Sequence, residues 1–200
     1  MDHTYGAIGK EINLRPLMRS DIQNLRNWRN DRELSEYLRP IDTISEEMQK
    51  VWYDSYLNDC TCLFFSIIDK KINMMIGTVA VYNINDKKAE IGKIIIGDIN
   101  GRGKGYGYLA IILAMKLGNE CLGIDSYKLD CHECNLPALK TYIRAGFVET
   151  GKHPFVKGGH EIEMSINKKS LQEQFSINPQ ITVLEDYCVL NQNGGEIHIK

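Results

Sequence analysis

The chain has 200 residues, 43% of them hydrophobic and 25% charged, which is enough for one α/β domain with a sizeable core. Its 24 basic side chains stand against 26 acidic ones, a net charge of -2, so neither a nucleic-acid footprint nor a polybasic membrane anchor is expected. No run approaches the ~20 apolar residues of a membrane span, and Met1-Asp2-His3-Thr4-Tyr5 lacks the start of a secretory signal, so a cytoplasmic protein with reduced cysteines is expected.

Residues 1–10 read as frayed. Ile12-Asn13-Leu14-Arg15-Pro16-Leu17 alternates apolar and polar and predicts a short strand. Ser20-Asp21 is placed to cap a helix in which Ile22, Leu25 and Trp28 recur at helical spacing up to Asn30-Asp31. A second helical pattern follows Thr43 or Ser45, with Met48, Val51, Trp52 and Tyr56 on one side. Ser45 begins no capping box there, because the third helical position is Met48.

The period then changes. Residues 62–69, 74–83 and 89–96 are rich in β-branched and aromatic side chains and predict an antiparallel meander. A glycine-rich stretch, 97–107, leads into a helix marked by Leu109, Ile112, Leu113 and Leu117. Residues 127–131 predict a strand. A helix over 136–144 follows, with Asn135 as its cap, Pro137 in its first turn and Gly146 ending it. Residues 147–151 and 161–166 alternate as two more strands. The order βααβββαβαββ predicts an α+β fold, a mixed and mostly antiparallel sheet flanked by helices.

Beyond a domain of residues 1–169, residues 170–200 are too apolar for disorder and too short for a second domain. Ile181-Thr182-Val183-Leu184 and Tyr187-Cys188-Val189-Leu190 are strand-like, Asn193-Gly194-Gly195 predicts a turn, and 196–199 follows it. This extension is expected to pack on the core or on a second copy, making a homodimer.

Cys131-His132-Glu133-Cys134 has a C-x-x-C spacing, but a zinc site wants four ligands and no second pair accompanies it. No metal is expected. Two ordinary thiols at a strand end account for the pattern.

Gly101-Arg102-Gly103-Lys104-Gly105-Tyr106-Gly107 joins a strand to a helix. Glycines allow positive φ and close backbone approach, so successive amides can point at an anion, and a helix N-terminus adds donors and partial positive charge. Arg102 and Lys104 could add charge. The spacing matches neither the Walker pattern nor the dinucleotide G-x-G-x-x-G.

Arg102-Gly103-Lys104-Gly105-Tyr106-Gly107 resembles the R/Q-x-x-G-x-G/A motif of the GNAT superfamily of N-acetyltransferases. Ile96-Gly97-Asp98 before it is similar to the branch of ribosomal-protein and spermidine acetyltransferases, and Trp28-Arg29-Asn30-Asp31 resembles that branch's first-helix end. Residues 135–147 match its N-x-x-A-x-x-x-Y-x-x-x-G-F motif through Asn135, Ala138, Tyr142, Gly146 and Phe147. The likeness spans residues 12–167.

The resemblance implies the acyl-CoA N-acyltransferase fold and direct transfer of an acetyl group from acetyl-CoA to a primary amine in a ternary complex. It further implies that Ile94, Ile95 and Ile96 pair through their backbones with the pantetheine arm, and that Arg102, Gly103, Lys104, Gly105, Tyr106, Gly107 and Asn135 hold the cofactor. Tyr142 would protonate the departing thiolate, and Glu90 would take the amine proton. Trp28, Asp31 and Glu33 would lie at the acceptor end. Plainer readings stand beside these: Tyr142 as a core aromatic, Glu90 as a solvated strand-end charge, Trp28 as an apolar anchor. The acceptor, a small amine or a protein N-terminus, is left open among a polyamine, a polypeptide, an aminoglycoside and a nucleotide-linked amino sugar. A CoA-binding sensor or scaffold without turnover is the alternative in another class.

Overall fold

The β-branched stretches of residues 62–96 become β3 (Leu63–Asp69), β4 (Met74–Asn85) and β5 (Lys88–Ile96), adjacent antiparallel strands at the centre of a sheet. They are seen in a computed structural model that describes residues 3–39 and 42–187. Around them lie β1 (Gly6–Ile8), β2 (Ile12–Pro16), β6 (Ser126–His132), β7 (Val148–Pro154), β8 (His160–Ile166) and β9 (Thr182–Leu184). The nine strands among the described residues follow the order β7-β8-β6-β5-β4-β3-β2-β1-β9. Every neighbouring pair is antiparallel except β5 and β6, which are joined by a helical crossover, as a parallel pair requires.

Helices cover both faces. α1 (Ile22–Asn30) and α2 (Glu46–Asn58) pack Ile22, Leu25, Tyr53 and Tyr56 against Phe64 and Ile95 on one side. On the other lie α3 (Tyr106–Leu122), α4 (Leu136–Arg144) and α5 (Lys168–Ile177). α3 sits between the sheet and its neighbours, so Ala110 through Met115 are all buried. Side-chain caps fix three of these helices. Ser45 accepts from the Met48 N–H at 3.1 Å, Asn135 from Ala138 at 3.2 Å and Asn167 from Ser170 at 3.1 Å.

Asp21 departs from the expectation that it caps α1. Its buried carboxylate takes both guanidinium nitrogens of Arg15, at 2.5 and 2.9 Å, the Ser66 hydroxyl at 2.7 Å and the Met18 N–H at 2.8 Å. Two sheet strands are thereby tied to the start of the first helix.

The expectation of a frayed start is also corrected. β1 lies between β2 and β9, pairing Ala7 with Leu14 on one side and with Val183 on the other. His3 is buried edge-on against Phe65, and the Tyr187 N–H donates to the Thr4 carbonyl at 2.5 Å. Long-range pairing with residues 182–187 orders a segment whose own sequence has no periodic signal. α5 was not expected; its Leu171 and Phe175 are buried against the core. The strand expected at 181–184 forms as β9. Of the second tail strand only Tyr187 is described. The turn at Asn193-Gly194-Gly195 and the run 196–199 lie outside the described residues.

Candidate active site

β5 and β6 are hydrogen-bonded only where Lys88, Ala89 and Glu90 face Ser126, Tyr127 and Lys128. Beyond Glu90 they diverge, and a cleft of about 900 Å³ opens between them. A bulge in β5 sets the divergence. Thr78 pairs with Ile95 and Ala80 with Gly92, so Lys93 and Ile94 together face the single residue Val79. Lys93 takes φ +52° there, uncommon for a residue with a side chain, and its carbonyl accepts from the buried Thr78 hydroxyl at 3.0 Å. The extra residue breaks the ladder and leaves β5 backbone facing the cleft. Ile94 and Ile96 line it, while Ile95 points through the sheet into the opposite core.

The glycine loop forms one end of the cleft. Gly103 has φ +73° and Gly105 φ +77°, while a Cβ at Gly103 would meet nothing within 4 Å. The left-handed backbone, not crowding, therefore calls for glycine. Gly105 is the N-cap of α3 and offers no side chain, so the first amides of a seventeen-residue helix are uncapped and face the loop. That suits a diphosphate. Gly107 also lines the cleft. The Tyr106 side chain is largely buried in the core, so its backbone is the part that chiefly serves the loop.

The two charged residues of the loop have different surroundings. Arg102 donates to the carbonyls of Ile96 and Gly97, each at 3.3 Å, and pairs with Glu33 at 3.3 Å. It braces the strand end. Lys104 does not line the cleft; its ammonium lies 5.7 Å from the Tyr106 ring centre. Arg102 still lines the cleft; Arg144, which sequence reasoning did not single out, lies outside that lining but stacks over Tyr108 at 4.1 Å, and its guanidinium comes within 3.9 Å of a Cβ placed at Gly105. Only the packing of α4 beside the start of α3 brings it there, and no local pattern signals it.

Tyr142 and Asn135 both line the cleft from α4. Burial raises the Tyr142 pKa, helped by the nearby Cys131 and Tyr82, so its hydroxyl stays protonated at neutral pH. Asn135 spends its side-chain oxygen on the cap of α4, which leaves its amide group for a ligand. Glu90 is half-buried on the cleft wall. Burial pushes its pKa up, but Asn83 at 3.0 Å, Lys128 at 3.2 Å and Tyr82 together hold it below the usual carboxylate range. It is an ionised group and a weak base.

The three residues expected at the acceptor end do not line the cleft. The Trp28 ring lies against the sheet where a Cβ at Gly97 would come within 2.0 Å of it, which makes Trp28 an apolar anchor and fixes residue 97 as glycine. Asp31 accepts from the Glu33 and Leu34 N–H groups and shapes the turn after α1. Glu33 is exposed and paired with Arg102. Their neighbours Arg29, Leu34 and Leu38 line the cleft instead. Cys131 is buried, its thiol pushed up to about 12 by burial, and is inert. Among the described residues no group of His, Cys, Asp and Glu is arranged to hold a metal ion, and no helix is long and apolar enough to cross a membrane.

A family model described as an acetyltransferase (GNAT) domain matches residues 11–148. An N-acetyltransferase 9-like protein of Nematostella vectensis is 28% identical over 167 residues, covering 75% of this chain and 81% of its own. A spermidine N-acetyltransferase from Vibrio cholerae, solved with CoA and spermine, shares the fold with a TM-score of 0.73 and 25% identity over 81% of this chain and 98% of its own. An N-acetyltransferase structure from Brucella melitensis matches with a TM-score of 0.71, at 21% identity over 87% of this chain and 83% of its own, a likeness of fold alone.

Proposed function

The chain belongs to the acetyltransferase (GNAT) family as an acetyl-CoA-dependent N-acetyltransferase, and from that premise we propose that it acetylates a small primary amine by direct attack on the thioester in a ternary complex. The observation that carries this reading is the divergence of β5 from β6 beside the glycine loop. A pantetheine arm fits between strands whose facing backbones are unpaired, and its diphosphate fits the uncapped start of α3. We assign the charge beside that diphosphate to Arg144, because Arg102 is committed to carbonyls and to Glu33.

In the transfer a nitrogen–carbon bond forms as the carbon–sulfur bond breaks. Backbone amides of β5 at the bulge hold the thioester oxygen as it gains charge. Tyr142 donates its proton to the leaving sulfur and recovers one from solvent. The amine enters unprotonated; after attack its nitrogen, now cationic, gives one of its two protons to solvent and keeps the other as the amide N–H. Because Lys128 and Asn83 hold Glu90 ionised, we assign to it the orientation of the amine and not the removal of its proton.

The test supplies acetyl-CoA and a panel of amines, with thiol release and product mass as readouts. An N-acetylated product with stoichiometric thiol release is expected for at least one amine. Acetyl-CoA binding without release across the panel would leave a sensor or scaffold. The loop is tested separately. Gly105→Val puts a β-branched residue at φ +77°, so CoA affinity should fall roughly 10- to 100-fold as the loop leaves the left-handed region. Calorimetric titration with CoA on folded variant checks it, and unchanged affinity removes the loop from the site.

A further inference from the structure

The carboxylates of the cleft already have basic partners. Glu90 pairs with Lys128 at 3.2 Å, Asp130 with His153 at 3.2 Å and Glu161 with Arg39 at 3.1 Å. Two cations on the same wall are not matched in this way. Arg29 is half-buried, enough for burial to lower its pKa, yet it makes no hydrogen bond or ion pair among the described residues. Lys93 has aromatic rings for neighbours, Tyr82 at 4.5 Å and Phe64 at 5.7 Å, and makes no salt bridge among the described residues, the Asp59 carboxylate acting on it only through space. It also holds the left-handed conformation of the bulge. Strain of that kind persists where the surrounding structure imposes it, and it gathers at ligand sites.

Arg29 and Lys93 also line a second cavity of about 320 Å³, walled by Leu25, Trp52, Phe64 and Ile95 between the first two helices and the sheet. The two cations therefore stand where the cleft meets an apolar chamber. A half-buried guanidinium without a protein partner gives up part of its hydration and gains from an anion that docks on it, whereas a polycation placed there would meet like charge.

We propose that the acceptor is an amine bearing an anionic group, held by Arg29 and Lys93, and an apolar body seated in the second cavity. This rests on the acetyltransferase reading. Its anion is a carboxylate or a phosphate, both of which suit a guanidinium fork beside an ammonium. The bulge that exposes the β5 backbone for the thioester also presents Lys93, so one irregularity of the strand serves both substrates.

The experiment uses the full chain and matched amines. L-Phenylalanine is compared with L-phenylalaninamide, a uridine diphosphate-linked amino sugar with the free amino sugar, and spermidine with all four. KM is read by thiol release, and acceptor binding to the CoA-loaded protein by calorimetry. One anionic amine should show a KM or Kd about tenfold or more below its neutral partner and below spermidine, with that preference lost in Arg29→Gln and in Lys93→Gln. Which pair responds distinguishes carboxylate from phosphate. Preference for spermidine or a neutral amine, or an anionic preference that survives both substitutions, overturns the proposal while leaving acetyl transfer standing. Anionic amines that bind without thiol release overturn acetyl transfer and leave the anion site standing. Neither binding nor release across all five overturns both.

Discussion

Replacing Tyr142 by phenylalanine is expected to lower turnover roughly 10- to 1000-fold with little loss of acetyl-CoA binding, since only the hydroxyl we propose as the proton donor is deleted. The ring stays edge-on to Phe147, with centres 6.3 Å apart, so packing is retained. Burial first, and then the neighbouring Cys131 and Tyr82, raise the hydroxyl pKa above its ordinary value of about 10. A group that is the acid in its protonated form loses function only as pH climbs through its raised pKa. The alkaline fall in kcat that belongs to Tyr142 should therefore lie above pH 10 and be absent from Tyr142→Phe. Single-turnover rates, which isolate the chemical step, are the measurement that decides. An unchanged rate would return Tyr142 to the role of a core aromatic.

The second large effect is on stability. Asp21→Asn removes the charge that faces Arg15 in a buried bidentate pair and leaves the guanidinium uncompensated, at a cost of about 3–5 kcal/mol. For a chain of this size that corresponds to a fall in Tm of roughly 6–20 °C. Burial alone would raise the Asp21 pKa, but Arg15, the Met18 N–H and the Ser66 hydroxyl outweigh it and hold the carboxyl below the usual range. A depressed native pKa means that the ionised form favours the fold. This contribution is complete above the unfolded value of about 3.9 and is lost as pH falls through the native one. Denaturant titrations at neutral pH and near pH 3 should show the wild type losing stability toward acid more steeply than Asp21→Asn. Parallel curves would mean that the network adds nothing to the fold.

Local pattern settled much of this protein. Helical spacing at Ile22, Leu25 and Trp28, the β-branched runs that became β3, β4 and β5, and the Asn135 cap with its proline depend on neighbours three or four residues away, so a linear reading reaches them. The glycine loop was legible for the same reason, because glycine adopts a left-handed backbone without help from distant partners.

What the chain alone did not disclose depends on pairs distant in sequence. Residues 6–8 are held between the nearby β2 and β9, which begins more than 170 positions later, and nothing in their own composition signals a strand. Arg102 and Arg144 are both arginines near the loop, and only packing commits the first to carbonyls and frees the second to face it. Trp28, Asp31 and Glu33 were expected at the acceptor end, yet the helix turns Arg29 toward the cleft and packs Trp28 onto Gly97. Sequence determined which residue types were available for the chemistry. Tertiary structure decided which charges were neutralised and which were left for a ligand, because the free energy of a charge depends on the partners and solvent that the fold brings to it.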